Sequence, residues 1–482
     1  MRPDHPKLAA LAPPEGSSGR LGAARRWPES PHDLTVAEKL AHIVATCAPE
    51  TDPLARGVAH RLVLDIAGLC VAARREPYVR AALASIDQPG PCSVIGHAGT
   101  LGAEGAAFVN GTAAHGEDFD DTYEGGPVHA GAVIVPALLA AAERHALSGN
   151  DLLRGIAVGV EVMCRLCAVA PTQVHKAGFH PTAVFGVMGA VAGLAAVLRL
   201  PQRQTVDALG IAGSFAGGII EYLAEGAWTK RLHAGWAAHC GLHAARIARE
   251  GFVGPRTVFE GTHGLFFGFA HGANGNFGEL TETFGTEWRM SGLAFKPYAT
   301  GTMNQPYIDC ALRLAKRGFT AEDVTEVLCE TAEGYVHRLW EPLAAKQRPP
   351  NDYAAKFSTP FNIAVAFVTG DAGFDAFSER TVRDERILGL AGKVRYRVDP
   401  ENPYPARYTG HVKMTLKDGR IFEERQPHIR GGVHEPLSRA DIERKFRGNA
   451  VFGGWNTALA DQFLAFAGEA FNGKMDLSSF RR

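Results

Sequence analysis

The sequence predicts a mainly α protein, with a large helical part contributed by both ends of the chain and a smaller α+β part between them. Three observations carry this. Long Ala- and Gly-rich stretches at 131–147, 150–170, 182–198 and about 202–223 have helical length and composition. Alternation of apolar and polar residues, the signature of strands, is confined to the chain beyond Gly292. Helical signals then return at Ser438.

Taken in order, residues 1–32 are rich in Pro, Gly, Ser and Arg and read as a loose extension with no continuous apolar targeting segment. Folded structure is expected from Asp33. Thr35 and Glu38 form a capping box ahead of VAEKLAHIVATCA. Asp52-Pro53 opens the next helix, whose Leu54, Val58, Leu62, Ile66, Leu69 and Cys70 step at the helical period. Residues 91–100 read as a short extended or loop segment. In the later helices, Gly186, Gly189 and Gly193 read as a packing device. The apolar run from Ala183 to Leu198 is shorter than the roughly 20 residues of a bilayer crossing and reads as a buried helix. Beyond Gly292, Val394, Tyr396 and Val398 alternate with Lys393, Arg395 and Arg397. Val412, Met414 and Leu416 lead into the hairpin turn Asp418-Gly419, and Val327, Cys329 and Thr331 mark a further strand. The predicted organisation is an extension (1–32), a helical domain (33–292), an α+β unit (293–430) and a return to the helical domain (431–482).

Composition narrows the function classes. The 482 residues carry 50 Lys plus Arg against 51 Asp plus Glu, a balance that argues against nucleic acid as a partner. Eight scattered cysteines fit a reducing, cytoplasmic compartment. Cys164 and Cys167 form a C-x-x-C inside an apolar run, where two small buried hydrophobes are expected rather than a redox pair.

One run stands apart: NGTAAHGEDFDDTYEGGPVHAG, from Asn110 to Gly131. It holds three Asp, two Glu and two His, and unpaired carboxylates are too costly to bury. It is therefore a solvated loop or a site. The long apolar run that follows, AGAVIVPALLAAA, favours a site at the mouth of a buried helix, and His is the natural proton carrier near neutral pH. Asp120 and Asp121 also offer a weak option for Mg²⁺. Further polar spots fall at element boundaries: Lys176 to Thr182, a cationic turn over 226–235 with Lys230, Arg231 and His233, Lys296 in FKPY, and Lys356 in AKFS. Several cations together with His suit a substrate with two or three carboxylates. The D-x-D-x-T at Asp118 lacks a preceding apolar strand, and no phosphate-binding glycine motif follows a strand.

Together these residues resemble the MmgE/PrpD family, whose members include 2-methylcitrate dehydratase, cis-aconitate decarboxylase and iminodisuccinate epimerase. The motifs are HGEDFDDT with His129, GFHPT at 178–182, EGAWTKRLHAGWAAH at 225–239, FKPY at 295–298 and AKFS at 355–358. The resemblance spans nearly the whole chain from Asp33. It implies an all-helical domain with an α+β lid, a homodimer, a site between domain and lid, and no required metal or organic cofactor. It places the site on Asp118, Thr122, His129, His180, Lys230 and Lys296. Two departures stand out. His129 lies one residue farther from Thr122 than in decarboxylase-like members, and Gly301 and Gln305 stand where relatives carry a Cys and a His.

The resemblance implies chemistry at a carbon next to a carboxylate, with an enolate-like dianion to stabilise. Lys230, Lys296 and Arg231 are expected to clamp carboxylates. His129 is the expected general acid/base with Asp118 setting its tautomer, Thr122 hydrogen-bonds substrate or Asp118, His180 is a second acid, and His233 supports. The favoured expectation is a cofactor-independent, 2-methylcitrate dehydratase-like lyase acting on a small polycarboxylate. The alternatives are a decarboxylase or epimerase, and a non-catalytic carboxylate-binding dimer. No membrane partner is expected.

Overall fold

The capping signals near the start of the chain form as read. Thr35 accepts from the Glu38 amide while the Glu38 carboxylate accepts from the Thr35 amide, closing the box that opens α1 (Val36–Thr46). Asp52 caps α2 (Pro53–Ala73) through the amides of Leu54 and Ala55. The computed structural model describes residues 34–272 and 275–482, so the extension expected over 1–32 lies outside the described residues. Residues Thr35–Arg482 form one compact unit, and 57 % of the described residues are helical and 9 % strand.

After α3 (Pro77–Ala84), the segment expected to be extended gives two short strands, β1 (Cys92–Ser93) and β2 (Thr100–Leu101), paired antiparallel. Then α4 (Ala103–His115) carries the chain into the acidic run, and β3 (Thr122–Tyr123) lies inside that run. The four Ala-rich stretches become α5 (Gly131–His145), α6 (Gly149–Val169), α7 (Pro181–Leu198) and α8 (Gln202–Phe215). The last is shorter than expected, because Gly217 and Gly218 break it. Helix α7 is long and apolar enough to cross a bilayer, and 94 % of it is buried inside the protein. A Cβ on Gly189 or Gly193 would meet the carbonyls of Gly159 or Gly155 at under 3 Å, so these glycines do set the close crossing of α6 and α7.

Residues 226–235, expected as a turn, instead contain the start of a 21-residue helix, α9 (Thr229–Arg249), packed on α4. Gly111 and Gly235 face each other where these helices cross. A Cβ on Gly235 would lie 2.1 Å from the Phe108 carbonyl, so only glycine permits the approach. That crossing brings the first turn of α9 beside the loop after α4.

Beyond Gly292, β4 (Leu293–Ala294) pairs antiparallel with β3 and ties Phe295-Lys296 to the acidic run. Next come α10 (Gln305–Ala315), β5 (Val324–Thr331), α11 (Thr359–Thr369), β6 (Val394–Val398), β7 (Gly410–Leu416) and β8 (Ile421–Gln426). The strand order is β6-β5-β7-β8, with β5/β6 parallel and the other pairs antiparallel. Val412, Met414 and Leu416 of β7 are buried, as their alternation requires, and α10 covers this sheet. The chain ends in α12 (Arg439–Phe452), capped by Ser438 and packed on α2, and α13 (Thr457–Glu469). Lys445 of α12 bonds Asp65 of α2 at 2.7 Å and the Phe119 carbonyl at 2.6 Å, bracing the acidic run from below. All eight cysteines are free thiols, and Cys164 and Cys167 are buried in α6, which pushes the Cys167 thiol up to about 12.

Candidate active site

The acidic run is buried, contrary to the expectation that carboxylates exclude it from the interior. Glu117, Asp118, Asp120 and Asp121 are no more than 6 % exposed. Each carboxylate is buried because other parts of the chain supply a cation, an imidazole or an amide. Glu117 accepts from Lys356 at 3.0 Å, Arg231 at 3.1 Å and the Tyr78 hydroxyl at 2.9 Å. Asp118, at a left-handed turn (φ 54°), pairs with the Lys230 ammonium, and its carbonyl accepts from Lys296 at 3.1 Å. Asp120 accepts from His115 Nδ1 at 2.7 Å, with Lys296 at 3.7 Å and His129 Nδ1 at 3.6 Å. Asp121 caps α5, accepting from the amides of Ala130 and Gly131 at 3.1 and 2.9 Å. A Cβ on Gly131 would lie 2.2 Å from that carboxylate.

Glu117→Gln tests the hidden half of this network. It leaves Lys356 and Arg231 buried without their carboxylate, and the expected loss of stability is about 3–5 kcal/mol, read as a lower melting temperature.

Four histidines gather here, His115 and His129 from the run itself and His180 and His233 from outside it. The His115 ring lies 5.0 Å from His129 and 5.5 Å from His180, and His180 lies 5.2 Å from His233. The Nδ1 of His129 donates to the Asp121 carbonyl at 2.7 Å, which leaves Nε2 as the ring's basic nitrogen. The tautomer is therefore set by Asp121, with Asp120 behind it, and not by Asp118 as expected, because Asp118 is committed to Lys230. Burial pushes His129 well below the ordinary imidazole range; Asp120 pulls the other way, while Lys296 and Lys230 add to the depression. Burial, then His233 and His115, do the same to His180. Burial would raise Asp118, but Lys230 and Lys296 hold it below the usual carboxylate range.

A cavity of about 100 Å³ opens on this set. Asp118, Thr122, His129, His180 and Lys230 line it, as anticipated, together with Tyr222, Arg338, Phe357 and Gly301. Three anticipated residues do not reach it. Lys296 is fully buried behind Asp118 and Asp120. Arg231 is stacked between the rings of Tyr78 and Tyr353, each 4.3 Å away, and serves Glu117. Successive helical residues point about 100° apart, so Lys230 and Arg231 cannot share one wall. His233, three residues on from Lys230, supports His180 through Nδ1 at 3.1 Å. Gln305 is a strap, bonded to the backbone of Tyr298 and Thr300. A Cβ on Gly301 would make only ordinary contacts, so that wall has room.

Asp118 Oδ2 and His115 Nε2 are buried with no hydrogen-bond partner among the described residues, as expected where a ligand completes a network. His115, Asp120 and His129 have ligand atoms within 4.8 Å of one another. His129 Nδ1 is already committed to a carbonyl and Lys296 adds a nearby positive charge, so the trio suits proton traffic better than a metal ion. The Mg²⁺ option fails for Asp121, whose oxygens cap α5.

A cavity in this helical fold thus brings together an ammonium group, neutral imidazoles and an ion-paired carboxylate, the groups that acid–base chemistry uses. The chain belongs to the MmgE/PrpD family: the model of its N-terminal domain matches residues 38–277, and that of its C-terminal domain residues 298–454. The cis-aconitate decarboxylase of Homo sapiens is 32 % identical over 363 residues, covering 72 % of each chain. That of Aspergillus terreus is 28 % identical over 86 % of this chain and 88 % of its own. A cis-aconitate decarboxylase-like protein of Aspergillus oryzae is 27 % identical over 81 % of this chain and 85 % of its own.

Proposed function

We propose that this protein is a lyase that releases CO₂ from an unsaturated tricarboxylate of the cis-aconitate type. The observation that carries the reading is the match, over most of both chains, to relatives named for that activity. These relatives favour decarboxylation over the dehydration that the sequence alone suggested.

The cavity supplies what the reaction needs. The bond from the carbon next to the alkene to its carboxylate breaks, and CO₂ leaves. The freed electron pair forms a new C=C to the near alkene carbon, the old π pair moves to the far alkene carbon, and that carbon takes up one proton. Lys230 holds a remaining carboxylate and, with Lys296 behind it, offsets the charge that builds up. His129 delivers the proton from Nε2, its imidazolium form steadied by Asp120 and the Asp121 carbonyl. A bound polyanion favours that protonated form, because opposite charge within a few ångströms raises an imidazole's proton affinity. His180, braced by His233, is the second candidate donor.

The test is CO₂ release from purified protein given cis-aconitate, 2-methylcitrate and citrate separately. CO₂ from cis-aconitate alone is the expected result. Loss of water from 2-methylcitrate without CO₂ would restore the dehydratase reading. Tight binding with no turnover would make the chain a carboxylate-binding protein.

A further inference from the structure

The inner cavity adjoins a wider vestibule of about 500 Å³, and Arg338, His175, Met303 and Tyr408 line both. Arg338 therefore stands where the two spaces meet. Its guanidinium meets the ring nitrogens of His175 at 3.0 Å and His337 at 3.1 Å. Among the described residues it has no carboxylate partner, unlike Lys230, Arg231, Lys296 and Lys356 at the same site. Burial and the Arg338 charge push His175 down to about 4, so that ring is neutral near pH 7 and does not offset the guanidinium. Only neutral rings lie within hydrogen-bond distance of the guanidinium, and Glu124, which also lines the vestibule, is engaged by the Val433 amide at 2.6 Å; a half-buried cation so placed at a cavity is a site for an anion.

The segment is also held firmly. Arg338 lies on a single π-helical turn (Val336–Trp340), a distortion that recurs at functional sites. The fully buried Trp340 anchors the turn by donating to the Thr331 hydroxyl at 2.8 Å. Lys346 donates to the Arg338 carbonyl at 2.5 Å and the Phe357 carbonyl at 2.8 Å, joining two walls of the cavity. Such support keeps a bidentate donor pre-aimed.

We infer that Arg338 selects the substrate, holding through its guanidinium the carboxylate that lies toward the vestibule while Lys230 holds another within. The inference rests on the polycarboxylate reading of the site and adds to it the residue that distinguishes three carboxylates from two. A planar fork suits carboxylate geometry better than an ammonium does.

The test uses calorimetric binding of tricarballylate, a saturated tricarboxylate, and glutarate, a dicarboxylate, to the full chain and to Arg338→Gln and Arg338→Lys. The wild type is expected to prefer tricarballylate. Arg338→Gln should weaken tricarballylate about tenfold or more and glutarate less than about twofold, with Arg338→Lys between. With cis-aconitate, the KM of Arg338→Gln should rise while kcat stays within about threefold. Equal weakening of both ligands, or of neither, overturns the inference. If Arg338→Gln does not fold, an Arg338→Lys protein with unchanged selectivity overturns it as well. A wild type that binds neither ligand overturns the polycarboxylate reading itself.

Discussion

Replacing Lys230 with Met is expected to lower turnover by about 10²–10³-fold and to lower stability by about 3–5 kcal/mol. The two effects have different origins. Lys230 is 5 % exposed and paired to Asp118, which is 1 % exposed, so removing the ammonium strands a buried carboxylate. The stability loss belongs to Asp118; the catalytic loss belongs to the vanished positive charge on the cavity wall. A Lys230→Met/Asp118→Asn double variant separates them. Its melting temperature should recover most of the way, since the amide carries no charge to strand. Its turnover should not recover. A double variant that regained activity would show that Lys230 serves only to hold Asp118.

His129→Asn is the second large effect. The Asn amide can still donate to the Asp121 carbonyl, so the fold should survive with little change in melting temperature. The ring's Nε2 is lost, and kcat is expected to fall by about 10²–10⁴-fold, the range for a general acid or base. The wild-type pH profile carries the same argument. Burial holds free His129 well below its ordinary range, so at neutral pH the free enzyme is mostly unprotonated there. Decarboxylation needs the protonated ring. Hence kcat/KM should rise as pH falls from 8 to 6, because acid restores the scarce form. A reaction that begins by removing a proton needs the neutral ring, already abundant, and would give a flat profile over that interval.

Much of this site is legible in the chain, and the part that is not has physical causes. Asp118, Thr122, His129, His180 and Lys230 belong to dense polar motifs, and all five line one cavity. The helical stretches and the β7–β8 hairpin follow from periodicity and turn chemistry. What local pattern cannot show is which cation meets which carboxylate. Arg231 adjoins Lys230 in sequence yet faces Tyr78 and Glu117, because helical geometry turns it away. The acidic run reads as a site, but its full burial is not legible because partners such as Lys356, Lys296 and Lys445 lie 170 residues or more along the chain. Arg338 sits in VHRLW, where a π-helical turn hides the usual period. Tyr222 follows the break at Gly217-Gly218, a glycine pair that signals the end of α8.

The most direct test of the central claim is proton NMR of cis-aconitate with the purified protein in D₂O. The account predicts loss of the substrate alkene signal, release of CO₂ as bicarbonate, and a product one carboxylate shorter that carries a single solvent deuterium on carbon. Conversion to a hydroxylated tricarboxylate, with every carboxylate retained, would contradict it.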